Sequence, residues 1–221
     1  MGQLPAPLVA AEVPAANRLV APALIVVDMQ NDFVREGAPL EVPDARATIA
    51  ANRRLLAAFR ARRLPVVYTR FLSMTDDNLL WRWSPQCHPT MRACWPGHER
   101  TYDDAHAPLR CVDVIDELAP APGELVIDKL GYGAFFGTDL GERLRMLAVR
   151  SLVITGTVTQ ICVEETAREA FHHGYATTVV ADAVSSFAPD LHAATLRNFG
   201  MKFGWVATAD EVIAAMPGGT G

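Results

Sequence analysis

The chain has 221 residues, half of them hydrophobic and a fifth charged, with 20 Lys and Arg against 25 Asp and Glu for a formal net charge of -5. That balance belongs to a globular protein rather than a disordered or fibrous one, and at this length one core can form without disulfide or metal support. The basic residues are scattered, so a nucleic-acid backbone finds no counter-surface, and no apolar run reaches the roughly eighteen residues of a membrane span.

Residues 1–22 read as an N-terminal extension rich in Ala, Pro and Val, without the basic start and compact apolar stretch of a secretory signal. A cytoplasmic location is therefore expected, with Cys87, Cys94, Cys111 and Cys162 as thiols. Residues 23–216 read as a single domain and 217–221 as a tail, both ends of the chain being expected to fray.

Within the domain, short apolar runs alternate with segments of helical period. Predicted strands are Ala23 to Val27, Pro65 to Thr69, Glu124 to Ile127, Leu152 to Thr155, Thr177 to Ala181 and Phe203 to Ala207. Their apolar continuity points to burial on both faces, as in a parallel sheet. Predicted helices are Ala45 to Arg63, Val112 to Leu118, Thr138 to Val149, Ile161 to His173, Pro189 to Phe199 and Ala209 to Met216. In the fourth, Val163, Ala167, Ala170 and Phe171 share one face, predicting a buried stripe. Such alternation predicts an α/β fold, an open doubly wound and mainly parallel six-stranded sheet with helices on both faces, whose active groups gather at the carboxyl ends of the strands. One region, about 70–110, lacks a sustained period and holds three tryptophans, two cysteines and three histidines. A connection of that length reads as a functional lid, an interface element or a surface excursion.

Three predicted strand ends deliver reactive side chains: Asp28 after the first, Lys129 after the third and Cys162 past the fourth, at the start of a helix. A thiol at a helix N-terminus near a lysine is favoured as the thiolate and can act as a nucleophile. No histidine stands beside these ends, so Asp28, preceded by five apolar residues, is the candidate base, its carboxylate tuned by a partly dry site. Each residue also has an ordinary reading: Asp28 as a turn or cap residue, Lys129 as a surface charge, Cys162 as a small buried hydrophobe.

The segments LIVVDMQNDF, VIDKLGYGAFFGTDL and VITGTVTQICVEETAREAFHHGYATTVVADAV resemble the three signature blocks of the isochorismatase-like cysteine hydrolases. That family includes nicotinamidases, N-carbamoylsarcosine amidases, ureidoacrylate amidohydrolases and biuret hydrolases. The resemblance runs from about Ala23 to Val212. It implies a catalytic triad of Asp28, Lys129 and Cys162, a cis peptide between Thr157 and Val158, and an oxyanion hole from the backbone N–H groups of Val158 and Cys162. The implied chemistry is cleavage of a C–N bond in a small amide, ureido or carbamoyl compound through a thioester, with no cofactor.

Departures from family patterns narrow the expectation. Cys162 stands where isochorismatases proper commonly lack cysteine, favouring an amide bond. Tyr68-Thr69-Arg70-Phe71 offers no Asp-x-His pair of the kind that holds a metal in nicotinamidases, so no metal is expected. Phe199 stands where biuret-cleaving relatives carry Gln, against a biuret substrate. Expected substrate-binding residues are Phe33 and Phe136 as an apolar wall, Trp81 or Trp83 as a cover, and Arg70 as a grip for a carboxylate or carbonyl. For Arg70 a surface ion pair, and for each Trp the packing of the long loop, are the plainer readings. The resemblance also leaves open a pyridine-carboxamide hydrolase without the usual metal site, and a catalytically silent binding protein of the same fold. The Trp-rich loop and the family's habits suggest a homo-oligomer.

Other motifs compete weakly. Gly131 to Gly137 looks like a dinucleotide-binding turn, but its third glycine is one residue late and no acidic residue ends the next strand. Cys87, His88, Cys94 and His98 have no common zinc spacing. His172 and His173 fit the end of a helix better than a catalytic role.

Overall fold

The computed structural model describes residues 19–73 and 79–216; the expectations for residues 1–18, 74–78 and 217–221 lie outside the described residues. In chain order, strand β1 is Pro22–Val27, helix α1 Asn31–Val34, α2 Ile49–Ala61, β2 Val66–Phe71 and α3 Leu80–Trp83. A two-residue antiparallel pair follows, β3 Glu99–Arg100 and β4 Leu109–Arg110. Then come β5 Leu125–Lys129, α4 Leu140–Met146, β6 Ser151–Thr157, α5 Glu164–His172, β7 Ala176–Ser185, α6 Pro189–Lys202, β8 Trp205–Ala207 and α7 Ala209–Ala215.

The main sheet has the order β5-β2-β1-β6-β7-β8 and every pairing in it is parallel. All six residues of β1, at the centre, are buried, which explains its unbroken apolar run. Successive side chains leave opposite faces: Leu24 and Val26 join one core with Phe59, Tyr68 and Val212, while Ala23, Ile25 and Val27 join the other with Leu140, Ile154 and Ala167. No helix among the described residues is long and apolar enough to cross a membrane.

Connections from β1 run outward through β2 to β5, and the chain then returns to place β6 on the other side of β1. The direction of winding therefore reverses between β1 and β6, and in open α/β sheets ligands bind at the carboxyl end of such a crevice.

Two helical expectations change. Residues Val112 to Leu118 do not form a helix; only Asp116–Leu118 makes a 3-10 turn. The backbone pairs instead with the segment after β1, Asn31 N–H donating to Asp113 O (2.9 Å) and Ile115 N–H to Met29 O (2.9 Å), so partners far in sequence override a weak local period. On α5, Val163, Ala167 and Ala170 are buried but Phe171 is exposed, its ring edge-on to Phe203 at 5.5 Å. The stripe is thus one residue narrower than the periodicity suggests. At the last helix Thr208 forms a reciprocal capping box with Glu211, a signature that fixes where α7 begins.

Candidate active site

Strand β1 stops because Asp28 turns into the left-handed region (φ 49°), which Asp tolerates better than most residues. The turn presents a fully buried carboxylate at the carboxyl end of the sheet. Its Oδ1 accepts a hydrogen bond from Thr69 Oγ1 at 2.6 Å, and its Oδ2 lies 2.7 Å from Lys129 Nζ. Lys129, the last residue of β5, spans the width of β2 to reach it. The ammonium also donates to the carbonyl oxygens of Gly131 (3.1 Å) and Tyr132 (2.9 Å), so all three of its protons have acceptors. The Phe71 ring centre lies 5.4 Å from Nζ.

Cys162 comes from the other side of the switch point. β6 ends at Thr157, the Thr157–Val158 peptide is cis, and residues Thr159–Val163 form a π-turn that leads into α5. Gly156 lets β6 pass close to β1: a Cβ there would lie 2.0 Å from Val27 O, and its φ of +108° suits glycine alone. The Cys162 thiol lies close enough to Asp28 and Lys129 for both to act on its ionisation.

Burial pushes the Cys162 thiol far above its ordinary range; the Lys129 ammonium opposes this and the Asp28 carboxylate reinforces it. For Lys129, burial favours the neutral amine, but the charges of Asp28 and Cys162 outweigh it and raise its pKa. The direction of the shift favours the protonated thiol beside the Asp28–Lys129 ion pair. That direction is opposite to the one expected from the helix terminus and the lysine, because burial is the largest influence on this thiol.

Cys162 opens onto a cavity of about 380 Å3. Phe33, Phe71 and Tyr132, with Pro39, Leu40 and Glu41, and Val158, Ile161 and Phe187, line it together with Cys162. The long loop supplies Trp83, Ser84, Gln86 and Cys87. Of the expected substrate-binding residues, Phe33 and Trp83 line this cavity, Trp83 at its rim with 82% of its surface exposed.

Arg70, Trp81 and Phe136 do not line it. Arg70 lies opposite Asp128 in the β2–β5 register and donates to it from Nε (2.7 Å) and from a terminal nitrogen (3.0 Å), with Asp113 3.2 Å away. Its pleat is opposite that of Thr69 and Phe71, so its guanidinium is held by two carboxylates and does not line the cavity that Cys162 lines. Trp81 packs on the core and meets the His88 ring edge-on at 5.2 Å. Phe136 is 78% exposed because Glu169 accepts the Phe135 N–H (2.8 Å) and draws Phe135 inward to stack on His173. A Cβ at Gly133 would lie 2.3 Å from the Glu169 carboxylate, so a larger residue there would displace the side chain that holds the Phe135 N–H. Phe199 is buried in the far core, stacked on Phe203 at 6.1 Å.

Several contributors have no sequence signal of their own. Gln30 exchanges two hydrogen bonds with the Phe71 backbone (2.7 and 3.0 Å), setting the end of β2. Asn31 donates to Arg110 O at 2.9 Å. Asp32, fully buried, accepts from the Cys94 N–H (2.8 Å), Tyr102 OH (2.7 Å) and Arg100 Nε (3.3 Å). The polar run after Asp28 thus anchors the long loop that supplies one wall of the cavity. Cys87, Cys94 and Cys111 are buried around this anchor, and no cluster of three or more His, Cys, Asp or Glu among the described residues is arranged to hold a metal ion.

With this arrangement established, comparison with known proteins is decisive: residues 22–211 match the isochorismatase domain. The chain belongs to the isochorismatase-like hydrolase family. A ureidoacrylate amidohydrolase from Rhizobium rhizogenes is 33% identical over 213 residues, covering 88% of this chain and 82% of that protein. Among solved structures, a cysteine hydrolase from Pseudomonas syringae pv. phaseolicola superimposes with a TM-score of 0.80 at 27% identity, covering 96% of this chain and 98% of that one. N-carbamoylsarcosine amidase from Thermoplasma acidophilum gives a TM-score of 0.66 at 32% identity, covering 86% of this chain and 96% of that one.

Proposed function

We propose that this isochorismatase-family hydrolase is a cysteine-dependent amidohydrolase that cleaves a C–N bond in a small amide, ureido or carbamoyl compound. One observation carries the reading: the paired Asp28 carboxylate and Lys129 ammonium lie beside the Cys162 thiol, which lines a cavity large enough for a small molecule. The amide-cleaving activities named for the Rhizobium and Thermoplasma relatives support it.

In the proposed mechanism Asp28 takes the thiol proton as Cys162 Sγ attacks the substrate carbonyl carbon. The resulting oxyanion accepts hydrogen bonds from the backbone N–H groups of Val158 and Cys162, a type of interaction worth about 2.7 to 4 kcal/mol per donor. Collapse breaks the C–N bond; Asp28 returns its proton to the departing nitrogen, which leaves as ammonia or an amine. A water that gives its proton to Asp28 then hydrolyses the thioester, releasing the acid and restoring the thiol. Throughout, Lys129 stays charged, holds the carboxylate in place and balances the negative charge that passes between Asp28 and Cys162.

The test is an ammonia-release screen over linear amides, ureides and aromatic carboxamides, run on the parent and on Cys162→Ser. Turnover by the parent and loss of at least about a hundredfold in the Ser variant are expected. Full turnover by Cys162→Ser rules out the covalent route. Mass spectrometry after acid quench is expected to find an acyl adduct on the peptide containing Cys162.

A further inference from the structure

Two features of the cavity bear on which molecule carries the scissile bond. The first is an aromatic panel. Phe33 and Phe71 have ring centres 6.3 Å apart at 60°, and Phe71 and Tyr132 stack at 6.2 Å and 29°. Phe187 and Trp83 add two more aromatic rings to the lining, so a flat, apolar substrate body finds ring faces and edges to pack against.

The second is charge. Among the described residues lining the cavity there is no Lys, Arg or His, and Glu41 is the one charged side chain. Cations nearby are committed elsewhere. Arg46 is 2.9 Å from Glu41 Oε1, donates to Val34 O at 2.8 Å and lies 3.7 Å from Glu36. Lys129 has its three protons on Asp28 and two backbone carbonyls, and Arg70 is paired with Asp128 and Asp113. A substrate carboxylate entering this space would lose water and find, among the described lining residues, no guanidinium or ammonium to pair with, Glu41 being already neutralised by Arg46, which makes its transfer unfavourable.

We propose that the cavity selects an uncharged amide or ureide with a planar apolar body and discriminates against substrates bearing a carboxylate. This rests on the hydrolase reading above and sets it apart from turnover of ureidoacrylate, an anion. A matched pair tests it: 4-methylbenzamide and 4-carbamoylbenzoate, alike except that a carboxylate replaces the methyl group. Binding is measured by calorimetry on Cys162→Ala at neutral pH, independently of any chemistry, and kcat/KM on the parent.

The neutral amide is expected to bind at least about tenfold more tightly, with kcat/KM following the same order and 3-ureidoacrylate ranking with the anion. Gln86→Arg, which adds a cation to the wall, is expected to narrow the ratio. Equal or tighter binding of 4-carbamoylbenzoate, no binding of 4-methylbenzamide, or an unchanged ratio in folded Gln86→Arg would overturn the selection. Preferential binding of the neutral compound without ammonia release by the parent would leave the selection standing and remove the hydrolase reading instead.

Discussion

Replacing Asp28 by Asn separates proton transfer from packing, because the side chains are nearly isosteric. The amide oxygen can still accept from one of Thr69 Oγ1 and Lys129 Nζ, now 2.6 and 2.7 Å from the two carboxylate oxygens, while the amide NH2 takes the other position. What disappears is the negative charge, and with it both the proposed base and the counter-ion of a lysine that is itself fully buried. Loss of general base catalysis is worth about 10² to 10⁴ in rate, so kcat should fall by that factor while KM changes little. Breaking a buried ion pair costs about 3 to 5 kcal/mol, and the lower end applies here because Gly131 O and Tyr132 O still hold the ammonium.

This stability loss depends on pH with a definite sign. In the parent the Lys129 pKa is raised, so its contribution is present below the unfolded lysine value of about 10.4 and is lost as pH rises through the higher folded value. Without Asp28, burial acts on Lys129 with less opposition and lowers its folded pKa. The variant should then gain stability as pH rises toward about 10, and its deficit against the parent should shrink. Urea unfolding at pH 7 and 9.5, with ammonia release at pH 7, measures both effects. A folded Asp28→Asn protein with full turnover would refute the proton-carrier role. A deficit that stays constant with pH would refute the ion-pair account.

Arg70→Met should change kcat/KM by less than about twofold, since the guanidinium is held by Asp128 and Asp113 away from the cavity; a tenfold loss would restore Arg70 as a substrate grip. Asp32→Ala leaves the buried Tyr102 hydroxyl and Cys94 N–H without their acceptor and should cost about 3 kcal/mol in urea unfolding while raising KM through the loop wall; unchanged stability would show that the loop is anchored otherwise. The Cys111 thiol is pushed up to about 11, by burial first and by the Asp32 charge next. Because the folded value exceeds the unfolded one of about 8.5, stability should fall by roughly 2 kcal/mol between pH 8.5 and 10, and Cys111→Ala should remove that part of the slope. A parent whose alkaline stability matches that of Cys111→Ala would contradict the shift.

The sequence by itself determined the alternation of strands and helices, because the parallel sheet is covered on both faces and its strands must be continuous apolar runs. It also marked the candidate site residues: Asp28 and Lys129 end or follow such runs with charges that a core would otherwise reject, and Cys162 follows the fourth run inside a signature block.

Tertiary structure alone decided the rest. Whether Arg70 faced a substrate or an acid depended on the β2–β5 register, which pairs it with Asp128 across 58 residues of chain. That Phe135 rather than Phe136 turned inward depended on a carboxylate from α5. Val112 to Leu118 gave up its helical period to backbone partners at residues 29–31, and the polar run Gln30, Asn31 and Asp32 acquired its anchoring role only when the long loop folded over it. The upward push on the Cys162 thiol comes first from burial, which no linear pattern reports. Periodicity encodes which face of an element is covered; it does not encode which distant group covers it, and the chemistry of a pocket is made of the latter.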